Sequence, residues 1–235
     1  LVGGSATGTA MITVDQGGQN SIVISAAANS RVCRQDIEDM EPLWQGAKLL
    51  LLQFEISMDA VLHAAQAAAR RGVQVILNPA PALPLAPELL SQVHCLVPNE
   101  SEATLLTGID VRDLPSAERA ARALLQAGVP VVILTLGDNG ALLCTAGRSA
   151  HIPARKVKAV DTTAAGDAFI GGLAAGLARG LDLENAVRYA TCAGTLAVTR
   201  FGAQTSLPSA EEVQEAFGRH AGNGGAGLQG PRGRR

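Results

Sequence analysis

The sequence predicts an α/β protein organised on a mostly parallel sheet, and three observations carry that prediction. Short apolar runs of strand length alternate with alanine- and leucine-rich segments of helical period between residues 47 and 136. The helical segments stop at Gly72, Gly108 and Gly128, each just before the next apolar stretch. Parallel neighbours need crossover connections of this kind, and helices on the faces cover the sheet.

Taken in order, residues 7–26 read as two alternating strands around a Gly-Gly turn, an opening antiparallel hairpin that needs something to pack on. A short polar helix is expected over 34–41. The run 47–54 is continuously apolar and reads as a strand buried on both faces. Residues 58–71 form a helix and 73–77 a strand ended by Asn78-Pro79, which completes a βαβ unit. A strand at 95–97, helices at 100–106 and 116–127, and a strand at 131–136 continue the alternation. Asp138-Asn139-Gly140 then turns the chain into a strand at 141–144, so part of the sheet is antiparallel. The last third is helical, over 165–179, 183–199 and 210–217, with small residues that allow close backbone approach. The expected organisation is a partial β-lid over 1–28, an α/β core over 29–217 and a Gly/Arg-rich disordered tail over 218–235.

Composition sets the outer bounds. The chain has 235 residues, 47% hydrophobic and 17% charged, which suits one large domain or two small ones and excludes a polar disordered chain. With 19 basic and 21 acidic side chains, a net charge of −2 offers no global field for nucleic acid or an anionic membrane, so an anionic ligand must be bound locally. No apolar stretch approaches the roughly 20 residues of a membrane helix. Cys33, Cys95, Cys144 and Cys192 lie far apart in apolar surroundings and read as reduced core thiols, which together with the missing leader pattern points to the cytoplasm. The first residue is Leu1, and the expectation is that an earlier portion is absent.

The chemistry concentrates in Asp161-Thr162-Thr163-Ala164-Ala165-Gly166-Asp167, between a strand and a small-residue helix. A helix N-terminus offers free N–H groups and a positive dipole end, and small residues let a phosphate touch the main chain there. Asp167 in the first turn is favoured as a carboxylate, which suits a base beside an incoming phosphoryl group. Each residue alone also fits an ordinary cap or turn. No Walker-type loop competes, and no glycine fingerprint of a dinucleotide fold follows an early strand.

These residues resemble the ribokinases, within the larger PfkB group of sugar and nucleoside kinases that share a D-T-x-x-A/G-G-D signature. The ordered matches are TGTA near the start, AAAN at 26–29, LNPAPA at 77–82, PNESEATLLTG at 98–108, ILTLGDNG at 133–140, DTTAAGD, and AVTRFGAQTSLP at 197–208. Ala164 and Ala165 stand where the wider group commonly has T-G-A. The resemblance implies a ribokinase-like three-layer α/β/α sandwich with a small β-sheet lid, and ATP-dependent phosphorylation of the 5-hydroxyl of D-ribose. It implies Asp167 as general base, with Ala164, Ala165 and Gly166 as the anion hole. Glu55 and Asp167 would bind the sugar. Asn99, Thr135, Leu136, Gly137, Asp138, Asn139, Gly140, Gly166, Asp167 and Thr191 would surround ATP, with Asn99 and Glu102 near magnesium. Asn99 and Glu102 also have the spacing of a plain capping box. Potassium activation is implied through Asp161, Thr163, Ala197, Arg200, Gly202 and Ser206, and a homodimer through paired lids.

The family's early sugar-binding Asp and its G-G-K-G-A-N-type segment have no counterpart here, and Gly3-Gly4-Ser5-Ala6 does not supply one. A poor or inactive kinase is therefore expected of this chain as it stands. Another sugar or nucleoside kinase of the group, or a noncatalytic nucleotide-binding fragment, are the alternatives.

Overall fold

The computed structural model describes residues 3–14 and 20–222. The chain opens with strands β1 (Thr9–Val14) and β2 (Asn20–Ser25), antiparallel with Met11 opposite Val23 and Ile12 opposite Ile22. The predicted Gly-Gly turn between them lies outside the described residues, as does everything after Gly222, so the tail expected there is not part of the description.

The central sheet has six strands in chain order: β3 (Leu49–Leu52), β4 (Gln74–Leu77), β5 (Cys95–Leu96), β6 (Val131–Thr135), β7 (Ala141–Thr145) and β8 (Arg148–Ile152). β3 to β6 run parallel, and β7 and β8 add antiparallel. The helices are α1 (Arg34–Glu38), α2 (Met58–Arg70), α3 (Pro87–Leu90), α4 (Glu100–Thr107), α5 (Leu114–Gln126), α6 (Ala165–Ala178), α7 (Leu183–Ala197) and α8 (Ala210–Gly222).

Strand alternation sorts side chains between two cores. Val75, Leu77, Val132, Leu134 and Leu142 face one way, onto the alanine stripes Ala60, Ala64 and Ala68 of α2 and Ala117, Ala120 and Ala121 of α5. Ile76, Ile133, Ala141 and Leu143 face the other way, onto Phe169, Ile170 and Leu173 of α6 and Ala186, Val187 and Ala190 of α7. Three layers result. Helices α6 and α7 lie so close that a Cβ on Gly172 would stand 2.9 Å from the Ala193 Cβ and 3.0 Å from the Ala190 Cα. Helix α8 covers α7 through Val213 and an edge-on contact of Phe217 with Tyr189 at 5.6 Å.

Four expectations need correction. β3 is an edge strand, and Leu51 is 42% exposed rather than buried on both faces. β8 was not expected, because its sequence RSAHI is polar and only Ile152 is fully buried. Helix α8 runs to Gly222, beyond the boundary placed at 217, because a glycine at 218 weakens a helix without ending it. Cys33 is exposed at the N-cap of α1, whereas Cys95 and Cys144 are core residues and Cys192 is half-buried.

Candidate active site

The carboxyl ends of the parallel strands and the N-terminus of α6 meet around two adjoining cavities, where open α/β sheets place their ligands. The larger, about 430 Å³, is lined by Thr135, Gly137, Asp138, Gly140 and Thr191. The smaller, about 230 Å³, is lined by Gln53, Glu55, Asn78, Glu102 and Asp167. Asn99, Thr135, Gly166 and Phe169 border both.

Asp161 anchors the segment ahead of α6. Its carboxylate is buried, accepting from the Thr163 N–H at 2.9 Å through Oδ1 and from the Gly202 N–H at 2.9 Å through Oδ2. The Thr163 hydroxyl and these N–H groups hold its pKa below the ordinary value. Asp161 thus joins the loop before α6 to the loop after α7, which Val160 reinforces by donating to the Val198 carbonyl at 2.8 Å. Ser206 is buried in the same second loop and donates to the Ala203 carbonyl at 2.7 Å. The Arg200 guanidinium turns away to Glu212, with one contact at 3.2 Å, while the Arg200 backbone N–H donates to the Ala197 carbonyl. No basic side chain pairs with Asp161 among the described residues.

Ala164 caps α6 with φ 60°, a left-handed conformation rare for a residue carrying a Cβ. That bend aims the first turn at both cavities. The Ala165 N–H returns to the Thr162 carbonyl over a long 3.3 Å, and a Cβ built on Gly166 would meet nothing within 4 Å. Asp167 is exposed on the smaller cavity, where its Oδ1 accepts from Gln53 Nε2 at 3.1 Å. Glu55 lines the same cavity.

Asn99 and Glu102 form the capping box that their spacing predicts. The Asn99 N–H and Nδ2 donate to the two Glu102 oxygens at 2.9 Å each, and the Glu102 N–H donates to Asn99 Oδ1 at 2.8 Å, a complete capping box that also lines the cavities. Burial pushes the Glu102 carboxyl up, while the Asn99 N–H opposes it. Glu100, next to it on the larger cavity, is likewise raised by burial and by the neighbouring Asp138 charge.

The loop after β6 is a short 3₁₀ turn, Gly137–Asn139, closed by Gly140 at φ 92°. A Cβ on Gly140 would fall 2.1 Å from the Ile152 carbonyl oxygen, so the turn lies flat on the chain leaving β8. His151 Nε2 holds the Asn139 carbonyl at 2.7 Å, and Lys156 Nζ spans to the Asp138 carboxylate at 3.0 Å. Leu136 is buried in the core, and neither it nor Asn139 is among the residues lining the larger cavity, which their neighbours Thr135, Gly137, Asp138 and Gly140 do line. Strand alternation turns Leu136 inward.

A family model described as pfkB family carbohydrate kinase matches residues 2–210. The chain belongs to the PfkB family. Ribokinase of Haemophilus influenzae is 40% identical over 215 residues, 92% of this chain and 70% of that protein. Deoxyribokinase of Salmonella typhi is 37% identical over 212 residues, 90% of this chain and 69% of that protein. A solved ribokinase of Arabidopsis thaliana, complexed with ribose and ATP, superposes with a TM-score of 0.81 at 31% identity, covering 91% of this chain and 70% of that one. As a PfkB member the chain is a kinase-type phosphotransferase with an alcohol acceptor, built on an α/β fold with a mostly parallel sheet. No helix among the described residues is long and apolar enough to cross a membrane.

Sequence reasoning missed Gln53, Asn78 and Lys156. Gln53 and Asn78 each follow a strand at its carboxyl end, which is the one local signal they carry, and Asn78 Nδ2 fixes the β5 end by donating to the Val97 carbonyl at 2.9 Å. Lys156 lies in an irregular segment whose path over the larger cavity only the fold reveals.

Proposed function

We propose that this PfkB kinase transfers the terminal phosphoryl group of ATP to the 5-hydroxyl of D-ribose, in the cytoplasm. The observation that carries the reading is the position of α6. Its first turn stands between a nucleotide-sized cavity and a smaller one holding Asp167, Glu55 and Gln53. Asp167 accepts the proton of the attacking hydroxyl, and Gln53 orients its carboxylate. The N–H groups at the N-terminal end of α6 stabilise the charge that develops on the transferred group. Glu55 accepts from sugar hydroxyls. The ribokinase relative supports ribose as acceptor, and the 37% identity to a deoxyribokinase supports 2-deoxyribose as a second one.

Two ions fit the residues present. Both Glu102 oxygens are taken by Asn99, so Glu102 would hold magnesium through water, as suits an ion that dehydrates reluctantly. Magnesium would supply charge neutralisation on the triphosphate. Asp161 is a buried carboxylate with N–H partners and no basic side chain beside it among the described residues, so the surrounding carbonyls of 161–163 and 197–206 would suit potassium as its counterion. The β1–β2 hairpin exposes apolar side chains on both faces, which fits a lid covering the acceptor with one face and pairing with a second subunit through the other.

The test is coupled ADP release by the 235-residue chain with ATP, magnesium and potassium, comparing ribose, 2-deoxyribose, fructose and adenosine. Slow ribose-dependent release, cut by about 10³-fold in Asp167→Asn, is expected. Release indifferent to ribose or to Asp167→Asn overturns the reading, and ADP binding without turnover on any acceptor leaves a nucleotide-binding module.

A further inference from the structure

A third cavity, about 180 Å³, continues the nucleotide cavity on the side away from α6. The two share Arg155, Lys156, Val157, Thr191 and Thr195 as a common wall, and no residue of α6 lines the new one. Its remaining wall comes from α7 and α8, including Arg188, Cys192, Leu196 and Arg219. The position is therefore open to a ligand that takes no part in phosphoryl transfer.

The lining is cationic without a single carboxylate. Lys156 and Arg188 are paired with Asp138 and Glu184, and the nearest carboxylate oxygen of Glu215 is 3.9 Å from Arg219. Arg155 makes no ion pair among the described residues. The floor is apolar, formed by Leu196, Ala216 and the Cys192 thiol. The Thr191 and Thr199 hydroxyls donate to the carbonyls of Val187 and Leu196, whereas Thr195, one turn from each, keeps its hydroxyl for a ligand among the described residues. A cationic rim over an apolar floor of this volume selects a compact molecule with one anionic end.

We propose that this cavity is a second ligand site, for a small organic anion with a compact apolar body, filled together with the nucleotide. The proposal leans on the nucleotide reading of the neighbouring cavity only for that simultaneous occupancy. Arg219 touches the third cavity alone, and its exposed side chain can be changed without disturbing the core.

Phenyl phosphate serves as the probe, inorganic phosphate as the same head group without the apolar body, and Cys192 as the reporter in a Cys33→Ser background that removes the exposed thiol. Iodoacetamide labelling of Cys192, followed by mass spectrometry, is expected to slow with phenyl phosphate, both without nucleotide and at saturating ADP. Inorganic phosphate should need about tenfold more for the same protection, and Arg219→Gln should weaken phenyl phosphate about tenfold while leaving ADP affinity unchanged. Absence of protection, displacement of phenyl phosphate by ADP, or indifference to Arg219→Gln overturns the proposal. Failure of ADP to bind at all overturns the nucleotide reading instead, and leaves protection by phenyl phosphate interpretable by itself.

Discussion

Two antiparallel hairpins of similar local pattern meet opposite fates in this molecule. In β6–β7, Ile133 and Leu134 are fully buried between α5 on one side and α7 on the other. In β1–β2, Met11 is 70% exposed, Val23 65% and Ile24 54%. Both sequences favour strands, so strand propensity does not separate them. The helices that cover the first hairpin do, and the turn of that hairpin forms part of the wall of the larger cavity. The second hairpin has the apolar surface of a buried element with no covering layer among the described residues.

The strongest way to break the comparison is at the buried hairpin's turn. Gly140→Ala places a Cβ against the Ile152 carbonyl at a backbone angle only glycine tolerates, and should cost about 4 kcal/mol or abolish folding. Denaturant titration checks the stability, and ADP titration under native conditions checks the loop.

Next in size is a matched truncation. Ile133→Ala should cost about 3 kcal/mol, whereas Val23→Ala should stay within about 0.5 kcal/mol in dilute protein. If Val23→Ala instead lowers Tm in a concentration-dependent way, the exposed hairpin is covered by another copy, and the contrast becomes one of assembly.

Asp161→Asn tests whether the wall of the site depends on charge as well as packing. It should cost about 2 kcal/mol at neutral pH by weakening two buried charge-assisted bonds. Because the folded pKa lies below the ordinary 3.8, the wild-type advantage is complete above that value and is lost as pH falls through the lowered one. Thermal melts of both proteins from pH 7 downward should converge at the acid end. The smallest effect is a gain: Ala164→Gly removes a left-handed Cβ and should stabilise by about 1 kcal/mol, read as a rise in Tm.

Most of the order of elements was legible because periodicity and glycine stops are local properties. Position within the sheet is not local, so an all-leucine β3 reads the same at an edge as at the centre. The polar β8 escaped for the opposite reason, since an edge strand with one buried residue has little apolar signal to show. At the site, Asp167 and Asp161 stood out through a specific string, while Gln53 and Lys156 acquire meaning only when the fold brings them across to Asp167 and Asp138. The left-handed Ala164 was hidden because alanine carries no mark of that conformation.

Gly166 lines both the larger and the smaller cavity, with nothing near its missing side chain. Such a plan amounts to two rooms joined by a narrow doorway. On the proposed kinase reading, only the phosphoryl group crosses between them, and a side chain at this position would narrow the way.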